Sequence, residues 1–212
     1  MKQQTNAKSQ TIVTRQAQSP RVPPRKPKNA DVRTREYLTA SEIRVLKEAA
    51  AKAPQNGSRD WLLITMMYRH ALRVSEATGL RWVQVDLKAC SLHVNRLKNG
   101  TSAVHSLEND ELHSLKQLRC DNPKSDFIFN SQRQGPLSAR QVHTIVARAG
   151  KAAGIKFPVH PHQLRHAKGF QLAERGEETS AIQAYFGHKS GCHAKIYTRQ
   201  LDSQQLKGLG KY

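Results

Sequence analysis

HPHQLRHAKGF, residues 160–170, places His160, His162, Arg165 and His166 within seven positions. Pro161 suits the first turn of a helix, which sets His162 beside unsatisfied N–H groups and the positive end of the helix dipole. Arg165 follows three residues on and His166 four, so both share a face with His162. A forked guanidinium with an imidazole that takes or gives a proton makes a phosphoryl-transfer site. Histidines that merely cap or pack inside the domain are the competing reading. Zinc fits less well, because no Cys, Asp or Glu nearby completes a ligand set.

The rest of the chain favours a phosphate-rich partner. Its 212 residues hold 35 Lys and Arg against 16 Asp and Glu, a formal charge of +19. That excess points to nucleic acid through phosphate contacts and counterion release, well ahead of an anionic membrane surface. Cys90, Cys120 and Cys192 are odd in number and form no CxxC pair, which argues against a disulfide framework and fits a reducing compartment. No apolar run approaches the roughly 18 residues of a membrane span. The expectation is a cytoplasmic, nucleoid-associated protein.

Residues 1–36 carry nine Lys or Arg against two acids, and SPRVPPRKPKN within them has four prolines and little to bury. Ordering that backbone would go unrewarded, so a flexible basic tail is expected. Structure should begin at LTASEIRVLKEAAAKA, where Thr39 and Glu42 form a capping box ahead of Ile43, Leu46 and Ala50 on one face. SRDWLLITMMYRHALR is apolar on most sides and reads as a central helix, leading into RVSEATGLRW with Gly79 as its C-terminal cap. WVQVDL, CSLHVNRL and SAVHSL read as short strands, with Asn99-Gly100 turning between the last two. NDELHSLKQLR, LSARQVHTIVARAGKAAG, PHQLRHAKGFQLAERG and ETSAIQAYFG have helical spacing, with Ser138, Pro161 and Gly176 as punctuation. The fold class expected is mainly α with a small antiparallel β-sheet (α+β). The domain division is a tail over 1–36, a main domain over 37–200 and a C-terminal tail over 201–212.

Three further motifs join the histidine-arginine cluster. HALRVSEATGLRW sets Arg73 and Glu76 three residues apart, where the carboxylate can orient the guanidinium, although such a spacing is usually a surface ion pair. RLKNGTSAVHSL puts Lys98 at a hairpin tip, able to swing a cation into a groove but ordinarily just solvated. YFGHKSGCHAKIYTR offers Gly187-His188 and, nine residues after the histidine, Tyr197.

In this order the pieces resemble the tyrosine recombinase (phage integrase) family. Arg73 with Glu76 matches its first box, Lys98 its hairpin lysine, HQLRH its H-x-L-R-H box through His162 and Arg165, Gly187-His188 its G-H pair, and Tyr197 its nucleophile. The match runs from about Thr39 to Tyr197. Within the family the short fimbrial phase-variation recombinases look nearest, because HPHQLRH and His193 are shared features and, as in them, no separate N-terminal clamping domain is expected. Residues 1–36 cannot fold into such a clamp.

That resemblance implies the tyrosine recombinase catalytic-domain fold and a site-specific recombinase that cuts and rejoins double-stranded DNA through a 3′-phosphotyrosyl intermediate, by inversion or excision of a segment. Arg73 and Arg165 would neutralise charge on the non-bridging oxygens. His162 would act as base, with His188 adding a hydrogen bond, and Lys98 would protonate the departing 5′-oxygen. No cofactor, metal or ATP is implied, and two exchanges call for a homotetramer on two DNA sites, with room for an accessory DNA-bending protein. Leu201, Leu206 and Leu209 could form a tail helix that docks on a neighbouring protomer. Of the five tyrosines, Tyr185 and Tyr68 fall in apolar helical patterns, Tyr37 adjoins the tail and Tyr212 ends the chain, so Tyr197 is the nucleophile expected. Other readings are a type IB topoisomerase-like enzyme and a non-catalytic DNA-binding regulator built on LSARQVHTIVARAGKAAG. An RNA-binding domain is disfavoured, for want of an aromatic pair on a strand to stack bases.

Overall fold

Thr39 opens the first helix, α1 (Ala40–Ala51), as the capping box predicts: its side chain accepts from the Glu42 N–H, and Glu42 reaches back to the Thr39 N–H. The computed structural model describes residues 37–96, 100–187 and Tyr197. Expectations placed on residues 1–36, Lys98, Asn99, His188, His193 and 201–212 lie outside the described residues. Ile43, Leu46 and Ala50 are buried on one face of α1, against α2 (Gly57–Arg69). Leu62, Leu63, Ile64, Met66 and Met67 of α2 are all fully buried, so this helix is central. Around it pack α1, α4 (Asn109–Asp121) and α6 (Pro161–Glu174), while α5 (Ala139–Ala152) covers α1. The remaining helices are the short α3 (Val74–Thr78) and α7 (Thr179–Phe186).

The sheet is antiparallel, ordered β1 (Val85–Asp86), β2 (Ser91–Val94), β3 (Ala103–Ser106). Leu92 pairs with Val85 and His105, and Val94 with Ala103. Leu92 and Val94 face the core and His93 faces out, the alternation of a half-buried strand. The architecture is therefore mainly helical with one small sheet. Among the described residues no helix is long and apolar enough to cross a membrane.

Two local expectations are corrected. WVQVDL is not one strand: Trp82–Gln84 form a 3-10 turn and only Val85–Asp86 pair. Gln84 decides this by folding back to accept the Arg81 N–H through Oε1 at 3.0 Å, a local bond that competes with the ladder. The central helix also stops at Arg69, short of the Arg73 that its apolar pattern suggests. His70 caps it, and Ala71 turns left-handed at φ 50°. Left-handed alanine costs about 1–2 kcal/mol, so something tertiary must hold it. The holders are two arginine side chains.

Candidate active site

Ala71 presents its carbonyl to both guanidiniums. Arg96, just past β2, donates Nη1 to it at 3.2 Å, and Arg165 of α6 donates Nη1 to the same oxygen. Two residues on, Arg73 is the N-cap of α3, and Glu76 accepts its N–H at 2.9 Å and its Nη1 at 2.7 Å. Glu76 is only 6% exposed, so this is no surface ion pair. The same carboxylate accepts Arg96 Nη1 at 3.0 Å and lies 4.0 Å from Arg165 Nη1. Three guanidiniums therefore converge on one buried carboxylate.

That arithmetic sets the electrostatics. Burial would raise the Glu76 carboxyl, but the Arg73 N–H and the guanidiniums of Arg96, Arg73 and Arg165 outweigh it and hold it below the ordinary range. Burial, then the charges of Arg73 and Arg96, push the Arg165 guanidinium down to about 9, against support from Glu76 and Tyr197. An arginine stays charged, so Arg165 keeps its cation here despite burial and two like charges. Among the described residues, one carboxylate faces three cations here, in a place where Coulomb terms are strong.

Helix α6 carries the next group. Pro161 stands in its first turn after the N-cap His160, whose N–H donates to Gln163 Oε1 at 2.9 Å. His162 is exposed, and its ring meets that of His166 edge-on at 4.4 Å, so the two share a face as the spacing predicts. Arg165 is 3% exposed and donates Nη2 to the Phe186 carbonyl at 3.1 Å. Tyr197 is 4% exposed and packs its ring against Phe170 and Phe186. Its hydroxyl lies 3.2 Å from His166 Nδ1. Only a glycine at 169 admits this ring, since a Cβ there would come within 2.6 Å of it. The structure thus brings Arg73, Glu76, His162, Arg165 and Tyr197 to one region of one subunit, whereas Lys98 and His188 fall outside the described residues.

The other described tyrosines have different tasks. Tyr185 donates its hydroxyl to the Arg69 carbonyl, and burial lifts it to about 12. Burial also raises Tyr68, and Tyr37 stacks on Phe170 at 4.0 Å. Arg96 is the site residue that the motifs do not reveal. Its signal was the strand alternation: Leu92 and Val94 face inward, and Arg96 is next in step. A charged side chain defaults to the outside, which hides it.

The phage integrase family model matches residues 36–204, and the chain belongs to that family. It is an enzyme, a tyrosine site-specific recombinase that cleaves and rejoins DNA strands. Among relatives, it is 39% identical over 170 residues to the type 1 fimbriae regulatory protein FimE of Escherichia coli strain K12, covering 77% of this chain and 85% of that one. The crystal structure of XerA recombinase shares its fold with a TM-score of 0.69 at 23% identity, over 86% of this chain and 69% of that one. The crystal structure of a lambda integrase dimer bound to a COC′ core site aligns with a TM-score of 0.61 at 26% identity, over 76% of this chain and 47% of the other.

Proposed function

We propose that Tyr197 is the nucleophile of strand exchange and that Arg73 and Arg165, steadied by Glu76, receive the scissile phosphate. The observation that carries this reading is the convergence of three guanidiniums on Glu76, in the same subunit as the buried phenol of Tyr197. Tyr197 Oη attacks phosphorus and the bond to the 5′-oxygen breaks as the tyrosyl ester forms. His162 takes the phenol proton, Lys98 gives one to the departing 5′-oxygen, and His188 donates a hydrogen bond to the phosphate. Arg73 and Arg165 hold the charge that builds on the non-bridging oxygens. A 3′-phosphotyrosyl ester keeps the energy of the broken linkage, so a 5′-hydroxyl from the partner duplex reseals it without ATP.

Exchange between two duplexes needs four cuts and one tyrosine per cut, which makes a homotetramer the working assembly. The basic groove at the start of α5, lined by Arg59, Arg133, Arg140 and Arg148, suits backbone phosphates, with Asp60 engaged by Arg59 and Arg148. Residues 1–36 serve as a basic tail that adds phosphate contacts, 37–200 as the catalytic domain and 201–212 as a C-terminal tail. The outcome is inversion or excision of a segment, as suits a relative of fimbrial regulatory proteins, in the cytoplasm at the nucleoid and with help from an accessory DNA-bending protein.

The test is to incubate the full chain with fragmented host DNA and nicked suicide duplexes, and to look for an SDS-resistant adduct. Adduct with the native chain, none with Tyr197→Phe, and unchanged DNA binding support the reading. A Tyr197→Phe chain that still forms the adduct names another nucleophile. Relaxation of plasmids that lack any mapped adduct site would favour the topoisomerase instead.

A further inference from the structure

We propose that Arg96 is a positioning residue for strand exchange, pinning the hairpin that carries Lys98 to the turn that carries Arg73. This rests on the reading of Lys98 as the acid. The Arg96 side chain has no exposed surface at all. Beyond Ala71 O and Glu76, its Nη2 donates to His70 O at 3.0 Å and to Tyr185 O at 2.7 Å. A hydrophobic side chain would fill this volume without the desolvation cost of a buried cation. Only a planar fork of donors meets four acceptors at once, so the bonds explain the residue type.

Where those acceptors lie is the main point. His70 and Ala71 lead into Arg73, Glu76 orients Arg73 directly, and Tyr185 stands three residues before His188. Arg96 itself stands two residues before Lys98. Each strand of chain that Arg96 grips leads within three positions to a residue of the proposed chemistry. The far side of the hairpin is held to the same place, since the Thr101 N–H donates to Gly187 O at 3.3 Å. Gly187, left-handed at φ 63°, packs so closely that an added Cβ would meet Arg96 Cγ and Thr101 O at 2.5 Å each. Two residues of chain span about 7 Å at most, so the backbone of position 98 stays within that reach of the Arg96 anchor.

The experiment compares two duplexes bearing a mapped cleavage site, one normal and one with sulfur replacing the bridging 5′-oxygen. A thiolate leaves without a proton, so only the normal duplex needs a well-placed acid. Arg96→Lys, with its single point charge, should cleave normal DNA on the order of 100-fold more slowly, the cost of about 1 Å of misplacement. On the sulfur duplex most of that deficit should vanish, with DNA binding unchanged. Lys98→Ala should be rescued in the same way. If Lys98→Ala is not rescued, the acid assignment falls and the positioning role falls with it. If Lys98→Ala is rescued but Arg96→Lys is slow on both duplexes, or as fast as the native chain on both, the positioning role alone is overturned. Should Arg96→Lys fail to fold, Gly187→Ala keeps the guanidinium while pressing on its stem. Rescue of that variant by sulfur supports the proposal, and equal slowing on both duplexes refutes it.

Discussion

Glu76→Gln is the sharpest probe of the charge balance in the pocket. The substitution keeps the volume and one acceptor oxygen, but it replaces the carboxylate that three guanidiniums share by an amide whose NH2 opposes their donors. Arg73 loses a partner at 2.7 Å, Arg96 one at 3.0 Å and Arg165 one at 4.0 Å. Removing one side of a buried ion pair costs about 3–5 kcal/mol. For a domain of this size 1 kcal/mol moves Tm by about 2–4 °C, so a fall of roughly 6–20 °C is expected. The pH dependence has a definite sign. Folding lowers the Glu76 carboxyl from its ordinary 4.5, so its contribution is complete above that value and is lost as pH falls through the lower folded one. Thermal unfolding of both chains followed by circular dichroism, from pH 7 down to pH 3, should therefore show a gap that is full near neutrality and closes in acid. A gap of less than about 2 °C at pH 7, below the shift that even 1 kcal/mol would give, would refute the reasoning. So would one that persists unchanged at pH 3.

His105 offers a second titration. Burial, His70, Arg96 and Lys168 hold its imidazole down to about 3 in the folded chain, while the unfolded chain takes up that proton near 6.5. Acid thus favours unfolding across that window, by about 2 kcal/mol at pH 5. His105→Leu should show a smaller drop in Tm between pH 7 and 5 than the native chain, and equal drops would sink the idea. Gly169→Ala should leave the helix sound, since alanine is the better helix former by about 0.5–1 kcal/mol. Its Cβ must nevertheless expel the Tyr197 ring, which now lies 2.6 Å from where that atom would sit. Nitration of Tyr197 by tetranitromethane should therefore speed up, and an unchanged rate would mean that the ring was never seated there.

What the sequence disclosed was what local chemistry governs. Thr39 with Glu42, Ser138 with Gln141 and Pro161 in a first turn each mark a helix start, because their partners lie within four residues. The shared face of His162 and His166 and the pairing of Arg73 with Glu76 follow from helical spacing alone. The bend at Ala71 was not legible, since nothing in HALR favours a left-handed residue and its cause lies 25 and 94 positions away, in Arg96 and Arg165. The same holds for the buried network in which His70 meets Glu111 at 3.0 Å and His105 at 3.4 Å. Polar residues default to the surface in a pattern reading, and only tertiary pairing overrides that default.

The left-handed alanine also bears on how the chain can change length. Its carbonyl is a hub for two side chains, while Arg73 takes its aim from two residues further along. An insertion or deletion between α2 and α3 would leave the hub where it is and throw Arg73 out of step with it. The exposed turn at Pro123 and Lys124 has no such double tenancy and can lengthen more freely. Variation among functional descendants of this enzyme should gather at the second place and avoid the first.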